Sequence, residues 1–139
     1  MLPAAVVRNL VVCDDIVTRS EDPHKVDLLG VLANLDVVKD RILPAMHSEA
    51  KYRYPELCVY AALSEVRGAG TLQIRCVQSP EETVAFTTPV YRVRFPNDPL
   101  QVIGIPFRIR NCVFPQLGLY AIQLWYNGTR VDERFLRLR

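Results

Sequence analysis

Tyr120-Ala121-Ile122-Gln123-Leu124-Trp125-Tyr126-Asn127-Gly128-Thr129-Arg130-Val131 is the stretch from which the rest of the chain is read. Asn-Gly stands between two runs rich in β-branched and aromatic side chains, and both residues tolerate the positive φ that a two-residue type I′ hairpin demands. Counting back from the turn, Tyr120, Ile122, Leu124 and Tyr126 share one face and Ala121, Gln123 and Trp125 the other, because side chains alternate along a strand. The first set is expected in the core, which leaves Trp125 outward as a candidate interface residue. On the return strand the same register sets Val131 opposite Leu124 but Glu133 opposite Ile122, so a β-bulge is expected between them.

Immediately upstream, Phe114-Pro115-Gln116-Leu117-Gly118-Leu119-Tyr120 reads as a turn followed by Gly-x-Tyr at a strand start. In immunoglobulin-like sandwiches a tyrosine at this place turns its hydroxyl back onto upstream backbone. Eighteen valines and seven isoleucines in short runs extend the β pattern along the chain. The further strands expected are 5–13, 26–35, 56–66, 71–78, 83–94 and 101–113, before 119–126 and 129–138, separated by turn signals. Pro89 and Pro106 each predict a break or an edge strand, since proline donates no ladder hydrogen bond. Asp14 and Asp15 are expected to end the first strand and open a polar loop. Only 36–54 departs from the pattern: Val37-Val38-Lys39-Asp40-Arg41-Ile42-Leu43 suits one or two helical turns ended by Pro44. The expectation is one all-β domain over 1–139, an immunoglobulin-like antiparallel β-sandwich of about seven to eight strands with one short helical connection.

With 139 residues, 50% hydrophobic and 23% charged, the composition is globular and not that of a disordered or fibrous chain. No apolar run approaches the roughly 18 residues of a spanning helix and the N-terminus is not a secretory signal, so a cytoplasmic protein with no membrane partner is expected. Cys13, Cys58, Cys76 and Cys112 lack C-x-x-C spacing and read as reduced core residues. Asn127-Gly128-Thr129 also matches a glycosylation acceptor, but the hairpin explains it. No catalytic or nucleotide-binding motif is present, and no cofactor or metal is expected. Asp14, Asp15, His24 and His47 are the residues a metal-dependent hydrolase would have to use; turn capping accounts for the aspartates more simply.

The formal net charge of +2 leaves no room for a surface that neutralises nucleic acid throughout. It is unevenly placed, with seven Lys+Arg against ten Asp+Glu in 1–66 and ten against five in 67–139, so the second half is expected to form a basic sheet beside an acidic one. Arg92/Arg94 and Arg108/Arg110 are i, i+2 pairs that each put two guanidinium groups on one strand face, a candidate anion site if the two strands are neighbours. Solvent-facing arginines paired with Asp or Glu are the plainer account.

Val12-Cys13-Asp14-Asp15, Leu28-Leu29-Gly30-Val31, Pro44-Ala45-Met46-His47 and the closing Gly118-Leu119-Tyr120 with its hairpin together resemble a family of small uncharacterised bacterial β-sandwich proteins, a domain of unknown function. The resemblance implies a sandwich in a bacterial cytoplasm and carries over no activity, ligand or site residue. The function expected is a non-enzymatic protein-interaction or assembly module, with a homo-oligomer or another protein as partner. Binding of an anion or small ligand by an arginine-rich sheet face is the alternative.

Overall fold

The computed structural model describes residues 5–19, 25–36, 43–44 and 52–139. These form eleven strands: β1 (Val6–Thr18), β2 (Val26–Val31), β3 (Asn34–Leu35), β4 (Leu43–Pro44), β5 (Tyr52–Ser64), β6 (Gly68–Gln78), β7 (Thr83–Thr87), β8 (Tyr91–Phe95), β9 (Ile103–Phe114), β10 (Gly118–Tyr126) and β11 (Thr129–Leu138). The described residues contain no helix, and thus no helix long and apolar enough to cross a membrane.

The strands make two sheets. In the five-stranded sheet β5 lies between β9 on one side and β1 with β4 on the other, and β2 pairs with β1. In the six-stranded sheet the order is β3-β11-β10-β6, and β7 and β8 follow each other along the free side of β6. All pairings are antiparallel except that of β3 with β11. Alternation gives each sheet an apolar inner face: Leu57, Val59, Ala61, Phe107 and Ile109 on one side meet Leu72, Ile74, Ile122, Leu124 and Leu136 on the other in one core. Cys13, Ile16 and Cys58 form a second, smaller cluster on the five-stranded sheet.

The C-terminal hairpin forms as its sequence requires, with Asn127 and Gly128 at φ 49° and 77° and Tyr126 opposite Thr129. The bulge is present: Trp125 faces Arg130 and Leu124 faces Asp132, so Val131 is the extra residue and Leu136 comes round to Tyr120. Tyr120 is fully buried and its hydroxyl donates to the Gln116 carbonyl at 2.5 Å. The break expected at Pro89 separates β7 from β8, where buried Thr88 takes over the ladder by accepting from Ile74 N–H on its hydroxyl at 3.0 Å. Pro106 breaks nothing; it sits inside β9, which pairs only with β5 and so tolerates it as an edge strand.

Several boundaries differ from expectation. The first strand does not end at Asp14 and Asp15 but runs to Thr18, because β2 supplies a ladder from Cys13 to Thr18 and both carboxylates find side-chain donors. The stretch expected as one strand over 26–35 divides: Gly30, at φ 64°, precedes a crossing that carries the chain from the five-stranded sheet to β3 in the other. Residues 37–42, where a helical turn was expected, lie outside the described residues, while Leu43–Pro44 is a short strand against Tyr52 and Arg53. The five-stranded sheet is not an acidic partner, since β9 brings Arg108 and Arg110 into it.

Candidate functional site

Arg92 and Arg94 lie on β8 of the six-stranded sheet, whereas Arg108 and Arg110 lie on β9 of the five-stranded one, so the four do not form a single ladder. Their inward alternates Val93, Phe95, Phe107 and Ile109 belong to or pack against the same core, which turns the two pairs to opposite outer faces. The open edges of β8 and β9 approach each other around Tyr91 and Phe107, whose rings stand 5.9 Å apart beside a groove of about 310 Å³.

Arg108 is spent on structure. Its guanidinium passes over Cys58 to reach Asp15 at 2.6 Å and Glu56 at 3.4 Å, and it donates to the Ile16 carbonyl, so one side chain ties β9, β5 and β1 together. Arg108, helped by the Ile16 amide, holds the Asp15 carboxyl below the usual carboxylate range. Asp14 accepts from the Tyr54 hydroxyl, and a Cβ on Gly30 would stand 2.5 Å from its carboxylate. These contacts account for both aspartates as strand ties. His24 and His47 lie outside the described residues. All four cysteines are free and buried; desolvation pushes the Cys13 thiol up to about 11 and Cys112 to about 12, which leaves them uncharged and unreactive at neutral pH.

The outer face of the six-stranded sheet is built differently. Register sets Trp125 beside Gln73 and Gln123 beside Arg75 on the paired strands β10 and β6, and Thr87 of β7 beside Arg75 on the other side. The Arg75 guanidinium lies 3.9 Å from the centre of the Trp125 ring, a cation–π stack, and its Nε donates to Gln73 Oε1 at 2.8 Å. Gln73 in turn donates to the Thr88 carbonyl at 3.0 Å. On the far side Trp125 Nε1 donates to Gln123 Oε1 at 3.0 Å and Gln123 donates to Glu133 at 3.3 Å. Arg130 completes the rim through Glu133 at 3.6 Å and Glu82 at 3.8 Å.

Gln123, Glu82 and Arg130 line an open hollow of about 490 Å³ with the Arg75–Trp125 stack, edged by Val77 and Val84. Among the described residues no carboxylate pairs with Arg75, Arg92 or Arg94, whereas Arg19 and Arg134 have one partner each and Arg108 and Arg130 two. Chemically the hollow offers a fixed guanidinium fork, an amide and an indole, a set suited to recognition. Trp125 was legible as an outward residue; Arg75 was not singled out, because its place under the indole depends on the pairing of β6 with β10, which no local pattern announces.

No protein-family model and no curated protein matches the chain. Among solved structures, the alkylpurine DNA glycosylase AlkC of Pseudomonas fluorescens, bound to DNA containing an abasic-site analogue, is similar over 94% of this chain at 10% sequence identity and a TM-score of 0.46. The chain spans 30% of the length of that protein.

Proposed function

We propose that the chain is an immunoglobulin-like β-sandwich that acts as a non-enzymatic interaction module and engages a partner through the outer face of its six-stranded sheet. The immunoglobulin-like reading is supported by the buried Tyr120, whose hydroxyl bonds backbone four residues upstream at the corner before β10. The interaction reading rests on one observation: Arg75 is held rigid on Trp125 in an open hollow, yet no acid neutralises it among the described residues. A charged group fixed in place without a counter-charge has lost its rotamer entropy in advance, and a partner that pairs with it keeps the full gain. Aromatic and Arg side chains are also those most enriched where binding energy concentrates.

Thr87, exposed beside Arg75, is the position from which to test this. A photo-reactive benzophenone amino acid placed there is expected to give discrete covalent adducts with a second copy or another protein in a native cell extract. The same group at Leu29, exposed on the five-stranded sheet, is expected to give none. No adduct from Thr87, or the same adducts from both positions, overturns the reading.

A further inference from the structure

Arg75, Arg92 and Arg94, none of which has a carboxylate partner among the described residues, share the outer face of the six-stranded sheet. Arg92 stands beside Thr71 and Arg94 beside Ala69 across the β6–β8 ladder, while Arg75 lies four residues further along β6 than Thr71. At about 3.3 Å per residue, Arg75 and the Arg92 position are thus about 13 Å apart along the strand direction. An extended polypeptide laid along β6 repeats with the same rise, so its residues i and i+4 present their side chains to the two positions, and i+6 to Arg94. Four and six are both even, and all three side chains leave the same face of such a segment.

The chemistry at Arg75 narrows the ligand further. Its Nε–H is used by Gln73 and one face of its plane by Trp125, which leaves the two Nη groups as an end-on fork for a planar two-oxygen acceptor. Glu82 on the wall of the same hollow, and Glu133 beside Gln123, are both paired with Arg130, which leaves Arg75, among the described residues, as the unpaired charge of the hollow. The indole is already covered by Arg75, so it offers no free double-sided platform on which nucleic-acid bases would stack. We propose that the partner presents an acidic, extended polypeptide segment whose Asp or Glu carboxylates are received by Arg75, Arg92 and Arg94. This rests on the interaction reading above and names the partner's chemistry.

Trp125 is the chain's single tryptophan and carries the Arg75 stack, so its emission reports on the surroundings of that stack. A capped oligoglutamate peptide is expected to change that emission saturably, with an affinity that falls as salt rises. Arg75→Gln is expected to weaken binding about tenfold or more, with Arg75→Lys, which keeps the charge but not the fork, in between. The double variant Arg92→Gln/Arg94→Gln, remote from the indole, is expected to weaken binding while leaving the unbound emission as it was. Arg110→Gln, on the opposite outer face, is expected to change nothing. The proposal fails if oligoglutamate gives no saturable change, if Arg75→Gln binds it as the parent does, or if inorganic phosphate or single-stranded oligothymidylate binds more tightly than the peptide. Persistence of the Thr87 photo-adducts after such a failure would show that the face is an interface for a partner of other chemistry; loss of both would remove both readings.

Discussion

Tyr120 is wholly buried, yet it carries a hydroxyl into the core's rim, and the Gln116 backbone answers it twice, as acceptor at 2.5 Å and as amide donor at 3.3 Å. Tyr120→Phe keeps the packing and leaves those two backbone groups unanswered. The expected cost is about 1 to 2 kcal/mol in urea unfolding, and an unchanged stability would mean the corner bond holds nothing together. Asp15 supports a pH-dependent argument of definite sign. Arg108 and the Ile16 amide depress its pKa in the folded chain, so its contribution is complete above the unfolded aspartate value of about 3.9 and is lost as pH falls through the lower, folded value. The urea midpoint of the parent is therefore expected to drop more steeply below about pH 4 than that of Asp15→Asn; parallel curves would rule out this linkage.

Among the strands, β6 carries the most consequence, because it joins the hollow to the core. Gly70, buried on its inward face, lies under the Phe95 and Tyr126 rings, and a Cβ there would come within 2.9 Å of Tyr126 and 3.1 Å of Phe95. Those rings meet edge to face at 6.2 Å and pack β8 and β10 over β6. Gly70→Ala is expected to push them apart and destabilise the fold by about 1 to 3 kcal/mol, as measured by thermal or urea unfolding. A neutral result would show that the rings have room to yield. The alternation of β6 was readable from sequence as polar Thr71, Gln73 and Arg75 against apolar Leu72, Ile74 and Cys76. The strand begins three residues before the Thr71 that the pattern predicts, because Gly68, Ala69 and Gly70 have low strand propensity and are strand here only through their pairing with β8.

Across the molecule, what was legible followed from short-range rules. The Asn-Gly turn, the Val131 bulge, the bond from the Tyr120 hydroxyl to upstream backbone and the break at Pro89 are each fixed by neighbours within a few residues, and the structure has all four. What depended on distant pairing was not legible. Asp14 and Asp15 looked like a strand end because their counter-groups, Tyr54 and Arg108, are far away in the chain. Sequence spacing groups Arg92/Arg94 with Arg108/Arg110, whereas the fold sends β9 to one sheet and β8 to the other and so sets Arg92 and Arg94 on the face that carries Arg75.

Cys13 and Cys58 face each other across the β1–β5 ladder, while Cys76 and Cys112 lie in the main core. None touches solvent in the closed fold, so an alkylating reagent reaches each only when its own surroundings open. The chain thus carries four native clocks of local opening. The order in which they are modified under native conditions reads out which part of the sandwich breathes first, with no probe introduced and no contact removed.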